Sequence, residues 1–507
     1  MQDTSKCSLD VTDKNTEIPA AEERVLLDAS GCVLLVCSLA AAALFSFGHD
    51  WLNLSFHGPG IGITVSHLVL TCSVICTANA RKHIKLRGQG IFLLILSVLL
   101  SLTYAVFANP AMRRLNLPVL CLLTAQTLFT LTEKNHAPAL SGNGLWEGLQ
   151  RYGVSLFRYW KTPFQSLSEK VQTRSWSGRN LLLGIAAALI ASMTAAYLLS
   201  TADQVFSGIL DGAVRRAEHI RFDSVLKMLL TLLLTFMLFS HRFSLLQKPE
   251  KIHPVLCRAS DPTVVSLILV GLSLVYALFS YVQIRYLFAG VESVRMSGGY
   301  AAYARSGFFQ LVAVALLTLS IILPALTLFR EKRAVRVLCA VTSLLTGIID
   351  ISAFVRMRLY TEAFGLSTLR VVTLWGIAMI MLALLAVLGK CIKPEFRICP
   401  VLAVIILSSW VALNWINIDR TVADNLVFRF NEGAEGSGSV QTLASDQYWN
   451  PAYYAAFQNI EDPAARQDAL DLLDLRAHEL QADGRLLKEP SLYDWSLAFL
   501  PAGTDQQ

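Results

Sequence analysis

The chain has 507 residues, of which 54% are hydrophobic and only 16% charged. A soluble domain carries about a quarter charged residues, so this composition excludes an ordinary soluble multidomain protein and points to the bilayer as the solvent of the core. The net charge of +6 hides a split: residues 418–507 hold 15 acids against 6 bases, a net of −9, which leaves +15 on the rest.

The first 24 residues are polar and acid-rich (Asp10, Asp13, Glu17, Glu22, Glu23). A cleavable signal places an apolar core directly behind a short basic start, so residues 1–24 read as a disordered cytoplasmic tail without a signal peptide. Eleven apolar stretches follow, each near the ~20 residues that a helix needs to cross the hydrocarbon. They are Val25–Phe47, Gly60–Ala80, Gly90–Ala108, Leu115–Leu131, Leu181–Ser200, Val225–Ser240, Thr263–Phe288, Gly307–Phe329, Val335–Met357, Leu366–Leu388 and Ile398–Ile416. The fourth and sixth are short, which allows ten to twelve. Continuous Leu/Ala/Val runs exclude the alternating pattern of a barrel. The expected fold is therefore all-α: a polytopic membrane helix bundle of about eleven transmembrane helices with a small helical C-terminal extracytoplasmic domain. Four spans occupy residues 25–132 and seven occupy 181–416.

The connections between spans alternate in charge. One set carries 22 Lys and Arg, the opposite set nine, among them Arg305, Arg356 and Arg358. The positive-inside rule puts the first set in the cytoplasm, with the N-terminus inside and the C-terminus outside a bacterial cytoplasmic membrane. The long loop 133–180 belongs to the inner set. Its Leu145, Trp146, Leu149, Tyr152, Leu156, Tyr159 and Trp160 share one helical face beside Arg151, Arg158 and Lys161, the composition of a helix lying in the headgroup plane. It reads as a membrane anchor or as a lateral coupling element.

Residues 417–449 are expected to be a linker, flexible at Asn431-Glu-Gly-Ala-Glu-Gly-Ser-Gly-Ser439. Asn450-Pro451 and Asp462-Pro463 are helix starts, a capping side chain followed by a proline in the first turn. They open a small helical domain over 450–507.

No phosphate loop, zinc-type histidine pairing or nucleophile elbow is present in the sequence. No cofactor, metal or catalytic residue is expected, and His49, Asp50 and His57 in one short loop read as water-binding. Cys72 and Cys76 read as small packing residues. Ionisable groups inside spans are the stronger clue, because each is costly in hydrocarbon. Asp350 lies within the ninth span with Arg356 on nearly the same stripe. It is expected either to pair with an arginine or to titrate along a pathway. Lys227, Arg285 and Arg370 sit near helix ends, and His67, Gln126 and Gln283 are interior polar groups.

Three stretches carry a resemblance: Gln283-Ile-Arg-Tyr-Leu-Phe-Ala-Gly290 with Tyr300-Ala-Ala-Tyr-Ala-Arg-Ser-Gly-Phe-Phe-Gln-Leu311, then Arg356-Met-Arg-Leu-Tyr-Thr-Glu-Ala-Phe-Gly-Leu-Ser-Thr-Leu-Arg370, then the weaker Tyr493-Asp-Trp-Ser-Leu497. With Leu199-Ser-Thr-Ala-Asp-Gln-Val-Phe206 they resemble the bacterial multi-pass families called domain of unknown function four-one-seven-three and its relative four-one-five-three. The resemblance implies a cytoplasmic-membrane protein and supplies no catalytic residue. Physically, Tyr300, Tyr303, Arg305, Arg358, Tyr360, Phe364, Gly365 and Arg370 fall on outer connections. An Arg-rich rim there complements the acidic tail, so the tail is expected to dock on it. The leading function is a non-enzymatic sensing or scaffolding protein of the envelope. The alternative is a transporter of a small molecule or ion using Asp350, and a lipid-modifying enzyme ranks last. The expected partners are the bilayer and a further membrane or envelope protein, not nucleic acid.

Overall fold

Backbone groups in lipid must bond within their own segment, and the chain answers with helices. The computed structural model describes residues 27–48, 60–81, 84–85, 87–134, 136–166, 222–247, 261–288, 308–329, 331–433 and 451–482. Ten of the described helices are long and apolar enough to cross a membrane. These are α1 (Ala29–Gly48), α2 (Ile61–Ala80), α3 (Gly88–Val106), α4 (Pro110–Leu131), α6 (Phe222–Ser244), α7 (Pro262–Phe288), α8 (Phe308–Leu328), α9 (Arg333–Phe364), α10 (Thr368–Ile392) and α11 (Ile398–Trp415). They answer ten of the eleven expected spans; Leu181–Ser200 lies outside the described residues. The remaining helices are α5 (Gly142–Arg158), α12 (Ile418–Asn431), α13 (Pro451–Phe457) and α14 (Pro463–Ala482).

The chain divides into two compact units, residues 1–32 with 160–211, and residues 33–159 with 212–507. In the first, the Leu27 amide donates to Ser166 Oγ at 2.8 Å. Two of the apolar cores of the second unit share α11. One joins α2, α3 and α4 to α11 through Leu93, Leu100, Tyr104, Leu120 and Trp410. The other packs α8 and α10 around Ala315, Ile322, Leu384 and Val387, with Ile398 and Leu402 of α11. Hydroxyls inside the spans bond back to carbonyls three or four residues earlier, as Thr124, Thr127 and Thr346 do, which removes an unmet donor from the apolar interior.

α4 and α9 prove longer than the spans expected for them. α4 starts at Pro110, five residues earlier than Leu115, because Asn109 caps it by accepting from the Met112 amide. Arg113 is folded inward, its guanidinium donating to the carbonyls of Tyr104 at 2.9 Å and Phe107 at 3.0 Å. It thereby satisfies the open end of α3. α9 continues past Met357 through Tyr360 to Phe364, so those aromatics stand on its last turns and not in a loop. At 32 residues it runs about 48 Å, well beyond the ~30 Å of hydrocarbon. Gly365, at φ 74°, ends it in the left-handed region that favours glycine.

The expected linker 417–449 is corrected in its first half, which is helix α12. Asn417 accepts from the Arg420 amide and caps it, and Val422, Ala423 and Val427 bury one face. Ala423 and Val427 pack on Tyr453, Ala456 and Phe457 of α13 and on Ala469 and Leu473 of α14, while Ile418 and Val422 join the core formed with α3, α4 and α11. Cys72 and Cys76 are exposed on α2, where the sequence suggested packing.

Candidate functional site

α9 carries the site because its length lets one rigid element serve two levels of the molecule. At the first level its inner stripe is polar in a way that hydrocarbon does not forgive. Thr342, Thr346 and Asp350 follow at four-residue steps, so they stack on one face. Thr342 Oγ1 meets Ser273 Oγ of α7 at 2.8 Å. Thr346 Oγ1 reaches Thr318 Oγ1 of α8 at 3.5 Å, and Thr318 in turn meets the Tyr276 hydroxyl at 3.0 Å. Asp350 sits one turn beyond Thr346, about 26 Å along the helix from Arg333. It is 1% exposed, and neither carboxylate oxygen has a hydrogen-bond partner.

The expected pairing of Asp350 with an arginine is not formed. Arg356 donates instead to Gln283 Oε1 of α7 at 3.1 Å, and the same oxygen accepts from Ser352 Oγ at 2.9 Å. The reason is angular: two and six residues beyond Asp350 on a 100° step, Ser352 and Arg356 turn to a different side of α9. Gln283 therefore becomes the acceptor that holds the arginine, and the carboxylate is left for other chemistry. Such a group can hold a proton or a cation, and the hydroxyls of Ser273, Tyr276, Thr318, Thr342 and Thr346 supply donors and acceptors along the same helix interface.

At the second level the end of α9 meets the start of the C-terminal helices. Asn425 of α12 accepts from the Leu366 amide at 3.0 Å, and Arg429 donates to the Glu362 carbonyl. Gly365 lies against Arg429, whose Cδ would stand 3.5 Å from an added Cβ. In the described part of this contact the bonds are to backbone groups. Arg358 forms an ion pair with Glu362 at 2.6 Å. Arg370 donates to the carbonyls of Phe364 and Gly365 and stacks 4.3 Å from the Tyr360 ring centroid, and Tyr360 in turn packs on Phe364 at 5.1 Å. Arg358 and Arg370 are engaged within the α9–α10 turn, and the described arginine that joins the two parts comes from α12. Asn109 closes the same end of the bundle, donating to Thr368 at 3.1 Å and Asp419 at 2.5 Å. Beside it is a cavity of about 20 Å³ bordered by Asn109, Arg113, Asn116, Asn414 and Asp419, the size of one water.

The other sequence candidates fall elsewhere. Lys227 is half-buried near the start of α6. His67 is buried on α2 with neither ring nitrogen hydrogen-bonded, and Arg242 Nε of α6 is likewise without a partner. Gln126 does bond between segments, donating to the carbonyls of Ala139 and Gly144. Tyr300, Tyr303 and Arg305 lie outside the described residues, as does the side chain of Arg285. Asn425 and Arg429 escaped the sequence reading. Their one signal was Asn417 followed by Asp419, a cap and a first-turn acid that announce a helix.

Among known proteins, the family described as "Domain of unknown function (DUF4153)" matches residues 94–449. No curated protein and no solved structure matches. The match takes in α4 to α12 whole, and so both levels of α9. It covers well over half of the chain, which belongs to that family.

Proposed function

We propose that this DUF4153-family membrane protein is a non-enzymatic sensor or scaffold of the bacterial envelope, with its C-terminal helices as the receiving part. The observation that carries the reading is the clasp of Asn425 and Arg429 on the end of α9, because the same helix buries Asp350. A partner that moves α12 acts directly on the element that holds the unpaired carboxylate. The bias of 22 bases over nine supports a cytoplasmic N-terminus and an outer C-terminus in a cytoplasmic membrane. A periplasm-active reporter fused after Gln507 is expected to be active, and silence with activity of a cytoplasmic reporter reverses the orientation. The Arg356–Arg370 run also supports kinship with domain of unknown function four-one-seven-three.

The deciding experiment is purification from native membranes in mild detergent, with bound proteins identified by mass spectrometry. A stoichiometric partner held by the full chain and lost on deleting residues 439–507 is the expected result. A partner that stays after the deletion, or none at all, overturns the reading.

A second reading is favoured by one observation, the carboxylate of Asp350 standing without a partner next to the hydroxyl series. It makes the chain a transporter with Asp350 on its path. In proteoliposomes under a pH gradient, proton flux that Asp350→Asn abolishes would support it, and no flux from the native chain removes it.

A further inference from the structure

Helix α5 is amphipathic the wrong way round for a soluble protein. Its inner face is small and polar: Gly144, Gly148, Arg151 and Ser155 are buried. Its outer face is apolar: Trp146 is 56% exposed, Leu149 47%, Val154 54% and Phe157 58%. Successive angles of 100° put these four within one stripe opposite the glycines. Two aromatics of the expected apolar face turn inward instead, Tyr152 onto His241 at 5.1 Å and Tyr159 onto Phe243 at 5.5 Å. Burial pushes the Tyr152 phenol up to about 12, and the Cys121 thiol beside it adds to that.

The inner face is fixed along its whole length. Ser141 caps the helix through the Gly144 amide. Gln126 of α4 lies over Gly148, where an added Cβ would collide with its amide. Glu147 accepts from the His136 amide at 3.1 Å, the Ala137 amide at 3.3 Å and Arg151 at 2.8 Å. Ser155 meets His241 Nδ1 at 2.8 Å and, through its carbonyl, the Ser240 hydroxyl at 2.6 Å. α5 is thus held by α4 and α6 at the end of the bundle where Lys85 and Arg87 pair with Glu133 at 2.9 Å.

We propose that the outer face of α5 lies in the headgroup layer of one leaflet and docks on anionic lipid. Three observations select that occupant. The helix is anchored by its polar face, which leaves the apolar face as the docking surface. It begins ten residues after the spanning helix α4 ends, which keeps it at the bilayer surface. Cations border it: Lys85 and Arg87 are 64% and 69% exposed, and Arg158 is exposed at its last turn. Amphipathic helices with that arrangement bind anionic interfaces.

The test uses the full chain in nanodiscs of phosphatidylcholine and phosphatidylglycerol, with the fluorescence of Trp146 taken as native minus Trp146→Phe. Lipids brominated near the headgroup are expected to quench that signal more than lipids brominated near the chain ends. At equal mole fraction, brominated phosphatidylglycerol is expected to quench at least twice as strongly as brominated phosphatidylcholine. Absence of quenching overturns the proposal, since water, a second copy or another protein then covers Trp146. Stronger quenching from the deep position overturns the in-plane placement, and equal quenching by the two headgroups overturns the anionic docking. Trp146→Phe is conservative and exposed, so the difference does not depend on a variant that fails to fold.

Discussion

The seat of α5 and the middle of α9 both bring polar groups into a membrane protein's interior, and they treat them in opposite ways. The polar groups at the inner face of α5 find partners: Glu147 with Arg151, Gln126 with two carbonyls, Ser155 with His241, and only Arg242 Nε of α6 beside them is left without one among the described groups. On α9 the Asp350 carboxylate finds no hydrogen bond, although Arg356 and Gln283 are engaged with each other on the same helix pair. A satisfied buried network fixes architecture, whereas an unsatisfied buried charge is a cost that folding alone does not explain. The comparison therefore separates a seat made for rigidity from a group kept available.

The largest effect is expected where that rigidity rests on missing side chains. A Cβ at Gly144 would run into the Pro138 carbonyl, a backbone group that cannot swing aside. Gly144→Ala should lose about 3 kcal/mol, the upper end for overpacking, seen as a lower Tm in detergent. Gly148→Ala should lose less, because the obstacle is the Gln126 side chain. Combining it with Gln126→Ala should recover about 1 kcal/mol relative to the sum of the single changes, as for residues in contact. Strict additivity would mean that α5 and α4 are not interlocked at this point.

At the α7–α9 interface Gln283 and Asp350 should respond differently. Gln283→Leu strips the acceptor shared by Ser352 and Arg356 inside the bundle and should destabilise by about 2 kcal/mol. Asp350→Asn replaces a carboxyl that has no hydrogen bond and should leave stability unchanged or raise it by about 1 kcal/mol at most. A loss from Asp350→Asn as large as that from Gln283→Leu would make the carboxylate a packing element and erase the contrast.

The sequence showed the spans because their signal is additive over twenty residues, and the ten described ones lie where the apolar runs predicted. It showed Asp350 because a carboxylate stands out in a run of Ile, Leu and Thr. It did not show the partner of Arg356, because the choice between Asp350 and Gln283 depends on which neighbour the helix faces, a tertiary fact. It misjudged 418–431 because α12 has few strongly apolar residues and is buried only by tertiary neighbours, Ile418 and Val422 in the core with α3, α4 and α11 and Ala423 and Val427 against α13 and α14. The chemistry of the contact between α12 and the end of α9 was not legible either. Net charges of the two parts suggested acids meeting arginines, while the bonds formed are one arginine and one asparagine meeting backbone groups.

That clasp yields a smaller prediction. Arg429→Ala deletes the donor to the Glu362 carbonyl at an exposed site and should weaken docking of the C-terminal helices by about 1 kcal/mol. Limited proteolysis after residue 431 should then accelerate several-fold while the Tm of the bundle holds. A cysteine pair at Gly365 and Asn425 should crosslink in the native background. Unchanged cleavage together with no crosslink would release α12 from α9 and weaken the link between tail and Asp350.

The smallest effect is a pH dependence confined to the α5 seat. Burial alone would raise the Glu147 carboxyl, but hydrogen bonds from Arg151 and from the His136 and Ala137 amides outweigh it and hold the group below the usual carboxylate range. A folded pKa below the unfolded one means that the bonds stabilise fully above the unfolded value, about 4.3 for glutamate, and that this contribution is lost as pH falls through the lower folded value. The Tm gap between the native chain and Glu147→Gln should therefore be constant from pH 8 to pH 5, in round numbers, and close as the pH drops below about 4. Asp350 has no such bonds to lose, so in the same acid range the gap between native and Asp350→Asn should not follow that course. If both gaps closed together, acid would be loosening the whole bundle, and the seat of α5 would not be the separately satisfied element that its hydrogen bonds describe.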